Sequence, residues 1–346
     1  MDEKDSSRIL DALSSRRTIV NQCLTSHIDT IGPDQLSEAS NHLFIAGGKR
    51  LRPVVCLIAA ETIYNQDLSP FPYQGLIDST GTSVNMLDAA SSLELIHIFT
   101  LIHDDIMDDD DLRRGVPSVH QKFNTNTAIL AGDILYSKAF ETLGNSAEHS
   151  SNVSRALTSL ATVCSDICEG QALDVQFGKM DLVSIEEYLR MIELKTGVLF
   201  AESAALPAQL LGQPPEVIDA LYNFGLLAGK AFQIYDDLLD LTTPSSVLGK
   251  QRGSDISEQK QTILTIHATN SGVDLNSFHN DQNSCPSESD MDSLVEALED
   301  SGTISYAHEL SHDLSTQAKQ QLELLPSNPS RELLSDIVDF FCQRDH

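Results

Sequence analysis

The stretch from Thr100 to His120 carries six aspartates within eight residues, followed by two arginines and a glycine. An apolar run over Leu93–Ile102 leads into it and predicts a helix that is buried nearly all round. On that helix Asp104 and Asp108 are four residues apart, so their carboxylates project from one face about 5.4 Å apart. Like charges at this spacing repel each other, and the pattern therefore indicates that a cation binds between them.

The ligands that this stretch offers are oxygens, with no histidine or cysteine in register. Oxygen ligands favour a hard divalent ion, magnesium before calcium or zinc. The alternating D-x-D-x-D-G pattern of an EF-hand loop is absent. Asp104, Asp105 and Asp108 are therefore candidate magnesium ligands, whereas the run Asp109–Asp111 is expected to be a solvated acidic surface.

A second D-D-x-x-D pattern, Asp236–Asp240, also follows an apolar stretch. Two such sets facing each other would hold several magnesium ions around one polyanionic group, most naturally a diphosphate.

The scarce basic residues concentrate near the motifs. Ala46–Val55 contains three of them between a glycine turn and a predicted helix start, a pattern that binds phosphate groups. Three lysines elsewhere could meet a second anion and a leaving group, namely Lys195, Lys250 and Lys260.

Composition limits the function further. Among the 346 residues, 22 Lys and Arg stand against 51 Asp and Glu, a net charge of −29. This balance argues against nucleic acid or an anionic membrane as a partner. We expect a soluble, cytoplasmic protein, because the sequence has no transmembrane-length apolar segment and no targeting peptide. The six cysteines lack any C-x-x-C spacing and are expected to be buried thiols, and no Cys or His spacing predicts a zinc site.

Apolar residues recur with helical periodicity along the chain, while alternating strand patterns are missing. We therefore predict an all-α protein, folded as a single domain over residues 1–346. A polar segment near 269–289, rich in Asn, Ser and Asp, is expected to be a surface insertion. The predicted helices are Arg8–Thr30, Asp34–Ile45, Pro53–Ile63, Ser83–Asp108, Thr125–Leu143, Val153–Phe177, Ile185–Lys195, Val198–Leu211, Val217–Leu241, Ser257–Thr269, Asp290–Leu298, Ser305–Leu324 and Arg331–Arg344.

Six motifs in order, GGKRLRP, DDIMDDDDLRRG, GQALD, LKTG, FQIYDDLLD and GKQRGSD, resemble those of the trans-isoprenyl diphosphate synthases, the polyprenyl synthetase family. The resemblance runs from about Asn41 to Gln343, and only the acidic insertion departs from it. It implies an isoprenoid synthase-type helical bundle around a large central cavity, usually as a homodimer. It also implies isoprenoid diphosphates as substrates and about three magnesium ions per active site.

By position in the motifs, the resemblance assigns roles to the acidic residues and to those near the allylic diphosphate. The magnesium ligands would be Asp104, Asp108 and Asp236, with Asp105 and Asp240 in support. The residues that hold the allylic diphosphate, or close over it, would be Arg113, Lys195, Lys250 and Lys260.

The same resemblance assigns the second substrate and the reacting carbon. The diphosphate of isopentenyl diphosphate would be held by Lys49, Arg52, His97 and Arg114. The carbonyl of Thr196 and the side chain of Gln233 would face the developing allylic cation, while Gln171 and Asp174 would position Lys195.

Product length would be set by residues that precede the first aspartates on the same helix. Phe99 lies about 7.5 Å deeper than Asp104 and is bulky enough to act as a floor, whereas Thr100, about 6 Å deeper, is small. One aromatic at the fifth position, with no insertion in DDIMD, resembles archaeal-type geranylgeranyl diphosphate synthases. Farnesyl and geranylfarnesyl diphosphate remain alternative products, and Phe99 could instead pack against a neighbouring helix.

Two other classes of protein remain open at this point. A terpene cyclase would share the first aspartate motif, but it would be expected to lack the second one and to line its pocket with aromatics. This chain has no Trp and 5% aromatic residues. A non-catalytic subunit of a heteromeric synthase would be expected to lose aspartates, and both sets are complete here.

Overall fold

The computed structural model describes residues 3–64, 70–180, 182–243, 252–257, 260–275 and 288–342. Regular structure in these ranges is almost entirely helical, which confirms the predicted all-α class. A π-helical segment, Glu193–Gly197, joins two of the helices, and the 3₁₀ turn Leu322–Leu324 follows another. The helices are α1 (Glu3–Ile28), α2 (Asp34–Ile45), α3 (Leu51–Tyr64), α4 (Met86–Met107), α5 (Val119–Lys122), α6 (Thr125–Asn145), α7 (Ser151–Phe177), α8 (Ile185–Ile192), α9 (Val198–Leu210), α10 (Pro215–Thr242), α11 (Ser254–Ser257), α12 (Ile263–Asn270), α13 (Glu288–Asp300), α14 (Thr303–Gln321) and α15 (Pro329–Cys342).

The chain divides into two compact units, each built from several stretches of sequence. The first comprises Met1–Cys164, Leu199–Gly225 and Gln321–Ile337, and the second Ser165–Val198, Leu226–Gln320 and Val338–His346. The first aspartate motif belongs to the first unit and the second motif to the second unit. The single domain over 1–346 therefore stays a prediction.

Helix α4 forms the centre of the first unit. It packs against α1, α3 and α6, and its side chains Leu93, Leu95, Ile96 and Ile98 have no solvent exposure. These positions point to all sides of the helix, as the apolar run predicted. Burial of each such side chain contributes about 1.5–3 kcal/mol. The helix that carries the first aspartates is thus fixed by its own apolar surface.

Two short antiparallel ribbons interrupt the helices, and the sequence analysis did not predict them. In the first, β1 (Gln74–Ile77) pairs with β2 (Ser83–Asn85), and in the second, β3 (Leu112–Arg113) pairs with β4 (Val116–Pro117). The predicted start of a helix at Ser83 is therefore wrong, since α4 begins at Met86.

The side chain of Asp78 explains the first ribbon. Its Oδ1 atom accepts hydrogen bonds from the backbone N–H groups of Thr80 (2.8 Å) and Thr82 (2.9 Å), and its Oδ2 atom from Ser150 (2.6 Å) and Asn152 (3.1 Å). Burial raises the pKa of Asp78, but the hydrogen bonds led by Ser150 and Thr80 outweigh it and hold the pKa at about 2. Such side chain–backbone bonds compete with helix formation and close the turn between the strands.

The second unit has its own core, with Tyr188, Ile234, Leu238, Ile263 and Leu298 among its buried side chains. Helix α12 begins six residues later than predicted. A capping box starts it: the hydroxyl of each of Thr262 and Thr265 accepts a hydrogen bond from the backbone N–H of the other. The periodicity of apolar residues does not show this feature. The predicted insertion near 269–289 overlaps the last two residues of this helix, and its residues 276–287 lie outside the described ranges.

The cysteines are less uniformly buried than predicted. Cys56 and Cys164 are buried, but Cys168 is exposed, and Cys23 and Cys342 are half-buried. All five are free thiols. In the described ranges, no helix has both the length and the apolar character needed to cross a membrane.

Candidate active site

The first aspartate motif lies at the C-terminal end of α4. Asp108 is the C-cap residue, and its N–H donates to the carbonyl of Asp104 over 2.8 Å, so the two residues are one helical turn apart as predicted. Both are half-buried. The C-terminal end of a helix carries partial negative charge, and the last turn of α4 contains no basic residue. Carboxylates are therefore costly at this position unless a cation compensates them.

Asp105 is fully buried and holds Arg113. Its Oδ1 atom accepts a hydrogen bond from the Nε atom of Arg113 over 2.6 Å, and Arg113 also pairs with Asp110 over 2.8 Å. Burial raises the pKa of Asp105, and the charge of Arg113 opposes this effect. Asp109 and Asp111 are exposed as predicted, but the prediction of a solvated Asp110 is wrong, because Arg113 on β3 draws it into an ion pair.

The glycine turn before α3 contacts Arg114, the second of the two arginines that follow the first motif. Arg114 donates from Nη1 to the carbonyl of Leu43 over 3.0 Å and also to the carbonyl of Gly47. Gly48 has a φ of +133°, and a Cβ atom there would lie 2.8 Å from Nη1 of Arg114. Only glycine fits both the backbone conformation and this close approach. The GGKR and LRRG motifs, far apart in the sequence, are therefore packed together.

Arg50 is the structural member of this basic group. It is buried, pairs with Glu94 of α4 over 2.9 Å, and donates to the carbonyls of Phe44 and Gly47. A buried ion pair of this kind with further hydrogen bonds fixes geometry rather than offering a binding group. Lys49, its neighbour, is exposed.

Arg52 and His97 lie in the same positive environment as Arg114. The guanidinium of Arg52 lies 4.4 Å from the ring centroid of Phe200, and burial lowers the pKa of His97 well below its usual value. Nearby arginine charges lower that pKa further; in order of effect they are Arg52, Arg114, Arg50 and Arg113. The structure thus brings together three of the four residues assigned to isopentenyl diphosphate, with Lys49 on the adjoining turn.

The second aspartate motif lies in the last turns of α10, again without a basic residue in the last turn. Asp236 is exposed and Asp240 is buried. The Oδ1 atom of Asp240 accepts a hydrogen bond from the hydroxyl of Ser254 over 2.8 Å, and Oδ2 accepts one from the N–H of Asp255 over 3.2 Å. Its carboxylate therefore anchors the start of α11, a role that the motif did not predict.

Two lysines, Lys250 and Lys260, follow this motif in the sequence. Lys260 is half-buried, and its N–H donates to the carbonyl of Asp255 over 2.8 Å. Lys250 lies outside the described residues, so its assignment stays a prediction.

Lys195 lies on the π-helical segment and is held from α7. Its Nζ atom donates to Oδ2 of Asp174 over 2.5 Å, as the motif order implied. Gln171 is buried, but within the described ranges neither polar atom of its side chain has a hydrogen-bond partner. A Cβ atom on Gly170 would lie 2.4 Å from the backbone nitrogen of Lys195. Glycine at this position lets α7 approach the segment that carries Lys195.

A chain of hydrogen bonds links the π-helical segment to α10. The hydroxyl of Thr196 donates to Oε1 of Gln233 over 2.9 Å, and Nε2 of Gln233 donates to Asp237 over 3.0 Å. The hydroxyl of Tyr188 donates to the other oxygen of Asp237 over 2.6 Å. Burial raises the pKa of Asp237. Sequence reasoning missed Asp237 and Tyr188: the first stood within the motif itself, whereas the second gave no signal beyond that of a core aromatic.

Phe99 packs against α6. Its ring centroid lies 5.2 Å from that of Tyr136, which in turn lies 5.0 Å from that of Phe140, while His103 stacks edge-on to Phe99 over 4.9 Å. Phe99 therefore contacts a neighbouring helix. Its ring remains half-buried, and its role in product length stays a prediction.

Comparison with known proteins defines the class. Residues 33–298 match the family model described as polyprenyl synthetase. The chain therefore belongs to the polyprenyl synthetase family.

Individual relatives cover almost the full length. The chain is 49% identical over 335 residues to the geranylfarnesyl diphosphate synthase of Natronomonas pharaonis, covering 97% of each chain. It is 40% identical to the geranylgeranyl pyrophosphate synthase of Geoglobus acetivorans, covering 98% of this chain and 100% of that one. Among solved structures, the geranylgeranyl pyrophosphate synthetase from Pyrococcus horikoshii matches with a TM-score of 0.86 at 34% identity, covering 98% of this chain and 99% of that chain.

The close approach at Gly170 yields a prediction about stability. Gly170→Ala forces α7 and the segment around Lys195 apart, because the new Cβ atom would meet backbone rather than a flexible side chain. We expect the unfolding free energy to fall by about 1–3 kcal/mol, measured as a lower urea midpoint by circular dichroism. Gly144→Ala is the control, since a Cβ atom there meets nothing within 4 Å. If both variants unfold at the same midpoint, the packing described here is incorrect.

Proposed function

We propose that this chain is a short-chain trans-prenyltransferase, which condenses isopentenyl diphosphate with an allylic diphosphate to give geranylgeranyl diphosphate. The observation that carries the proposal is the pair of D-D-x-x-D motifs, each in the C-terminal turns of a helix whose last turn contains no basic residue. Family membership supports it, and so do relatives named as geranylgeranyl and geranylfarnesyl diphosphate synthases.

We propose magnesium as the cofactor, held by Asp104, Asp108 and Asp236. The donors fit the ion, since all are carboxylate oxygens and each residue is half-buried or exposed. When bound, magnesium stabilises negative charge on the departing diphosphate as a Lewis acid. Asp105 and Asp240 would support the site indirectly, because they hold Arg113 and the start of α11. The number of about three ions rests on the family resemblance.

The basic residues would divide between two diphosphates. Carboxylates hold the side chains of Arg113 and Lys195 in place, so each side chain would offer an oriented N–H group to the allylic diphosphate. Lys260, and Lys250 by resemblance, would close over it. The isopentenyl diphosphate would be held by Lys49, Arg52, His97 and Arg114. His97, kept neutral by its surroundings, would then act as a hydrogen-bond donor without adding charge.

The reaction needs oxygen atoms that face a cation. As the allylic C–O bond breaks, its electron pair leaves with the diphosphate and the carbon becomes electron-poor. The carbonyl of Thr196 and the amide oxygen of Gln233 would stabilise that carbon. Tyr188 and Asp237 fix the amide so that its oxygen lies on the side of Thr196. The double bond of isopentenyl diphosphate then attacks, and loss of a proton restores an alkene.

We propose a homodimer, which the family resemblance implies, in the cytoplasm. Two apolar side chains on helix α6 support this proposal, because Ile129 and Leu130 expose 41% and 57% of their surface. Apolar side chains of this size are commonly covered in an interface.

The proposal is tested by removing one carboxylate from each motif. Asp104→Ala and Asp236→Ala should each lower the single-turnover condensation rate by about 10³-fold or more, since transition-state charge stabilisation is lost while helical content is retained. Asp219→Ala, an exposed aspartate near the start of α10, should leave the rate unchanged. An Asp236→Ala enzyme with the wild-type rate would rule out a role for the second motif. Product formation without isopentenyl diphosphate would indicate a cyclase instead.

Product length gives a separate prediction. In reactions with labelled isopentenyl diphosphate, the wild type should give mainly geranylgeranyl diphosphate, and Phe99→Ala should lengthen the product by at least one isoprene unit. The reason is that removal of the ring deepens the space beside α4. Chromatography of the products measures this. Phe71→Ala, which removes an aromatic that packs on Tyr64 and Tyr73, is the control. An unchanged distribution in Phe99→Ala would place the floor elsewhere.

A further inference from the structure

Cys23, His27 and Asp88 form a cluster that the proposed reaction does not use. The Sγ atom of Cys23 lies 3.7 Å from Nε2 of His27 and 3.3 Å from Oδ1 of Asp88, and the latter two atoms are 2.9 Å apart. Cys23 and His27 are four residues apart on α1 and share one face. Asp88 comes from the first turn of α4. Three different kinds of ligand atom therefore meet at one point.

The geometry of these atoms matches a tetrahedral zinc site. Zinc bonds of about 2.3 Å to sulfur and about 2.0–2.1 Å to nitrogen or oxygen place ligand atoms about 3.3–3.6 Å apart. The distance between Cys23 and Asp88 (3.3 Å) lies at the edge of that range. The distance between Cys23 and His27 (3.7 Å) is slightly longer, and the distance between His27 and Asp88 (2.9 Å) is a few tenths of an ångström shorter. An ion could thus be taken up by small side-chain rotations without a shift of either helix.

The surroundings hold the ligands and leave one side open. Asn85 donates to Oδ2 of Asp88 over 2.6 Å, while its own oxygen caps the N-terminus of α4, so that Oδ1 is turned toward α1. A hydrogen-bonded ligand of this kind is typical of metal sites. The side chains of His27 and Asp88 are 25% and 18% exposed, which lets solvent reach the cluster.

We propose that Cys23, His27 and Asp88 bind one zinc ion, with water as the fourth ligand. Sulfur and nitrogen ligands favour zinc and disfavour magnesium, so this site is distinct in chemistry from the aspartate motifs. On binding, the ion replaces the thiol proton of Cys23 and the proton between His27 and Asp88, and both leave to solvent. The ion would join α1 to the start of α4, the helix whose other end carries Asp104.

Cobalt titration tests this proposal, because cobalt occupies zinc sites and thiolate ligation gives it a charge-transfer absorption. The full chain is stripped with chelator and titrated with Co²⁺ in excess Mg²⁺, so that oxygen-only sites are occupied. We expect the thiolate band to saturate at one equivalent and to disappear when Zn²⁺ is added. Cys23→Ser should abolish the band. Asp88→Asn should raise the Co²⁺ concentration needed by at least tenfold.

Cys168→Ser is the matched control, since it removes an exposed thiol from another helix and should leave the band unchanged. If Cys23→Ser loses helical content, His27→Gln keeps the thiol and should weaken cobalt binding by at least tenfold. The condensation rate in Mg²⁺ should be the same in Cys23→Ser and wild type. Absence of the band in wild type overturns the proposal, as does a band that persists in Cys23→Ser or is lost in Cys168→Ser.

Discussion

Two helices of this molecule place several negative charges close together at their C-terminal ends, which already carry partial negative charge. Helices α4 and α10 each have aspartates in their last turns and no basic residue in the last turn. Both carboxylate repulsion and the helix dipole raise the energy of such an arrangement. Buried members of the two motifs are compensated within the protein: Asp105 by Arg113, Asp237 by Tyr188 and Gln233, and Asp240 by the start of α11. The remaining members are half-buried or exposed, where ions and substrate can approach.

The arginines show the same division between structure and binding. Arg50 forms a buried ion pair with Glu94, and Arg114, which follows the first motif, donates hydrogen bonds to the glycine turn and the helix before it. Arg52, which packs on the ring of Phe200, and His97 adjoin them. A substrate diphosphate would therefore enter a positive region whose backbone is already held in place, which limits the ordering that binding must supply.

The features that follow from apolar periodicity and from motif spacing could be predicted from the sequence. The buried run of α4 and the register of Asp104 and Asp108 follow from 3.6-residue periodicity, and both are seen in the structure. The ribbon closed by Asp78 was missed because side-chain hydrogen bonds override local helical preference. The π-helical segment adds one residue to a turn, a change that an apolar pattern does not show. The proximity of Asp88 to Cys23 and His27 was not predicted, since Asp88 lies on another helix and only the fold brings it near.

We propose that the aspartate motifs bind a diphosphate through magnesium. Isothermal titration of inorganic diphosphate into the full chain tests it most directly, because no chemical step is involved. We expect saturable binding in Mg²⁺ and a loss of about 100-fold or more in affinity when the ion is removed with EDTA. Equal affinity with and without magnesium would contradict it, since arginine and lysine alone would then hold the diphosphate.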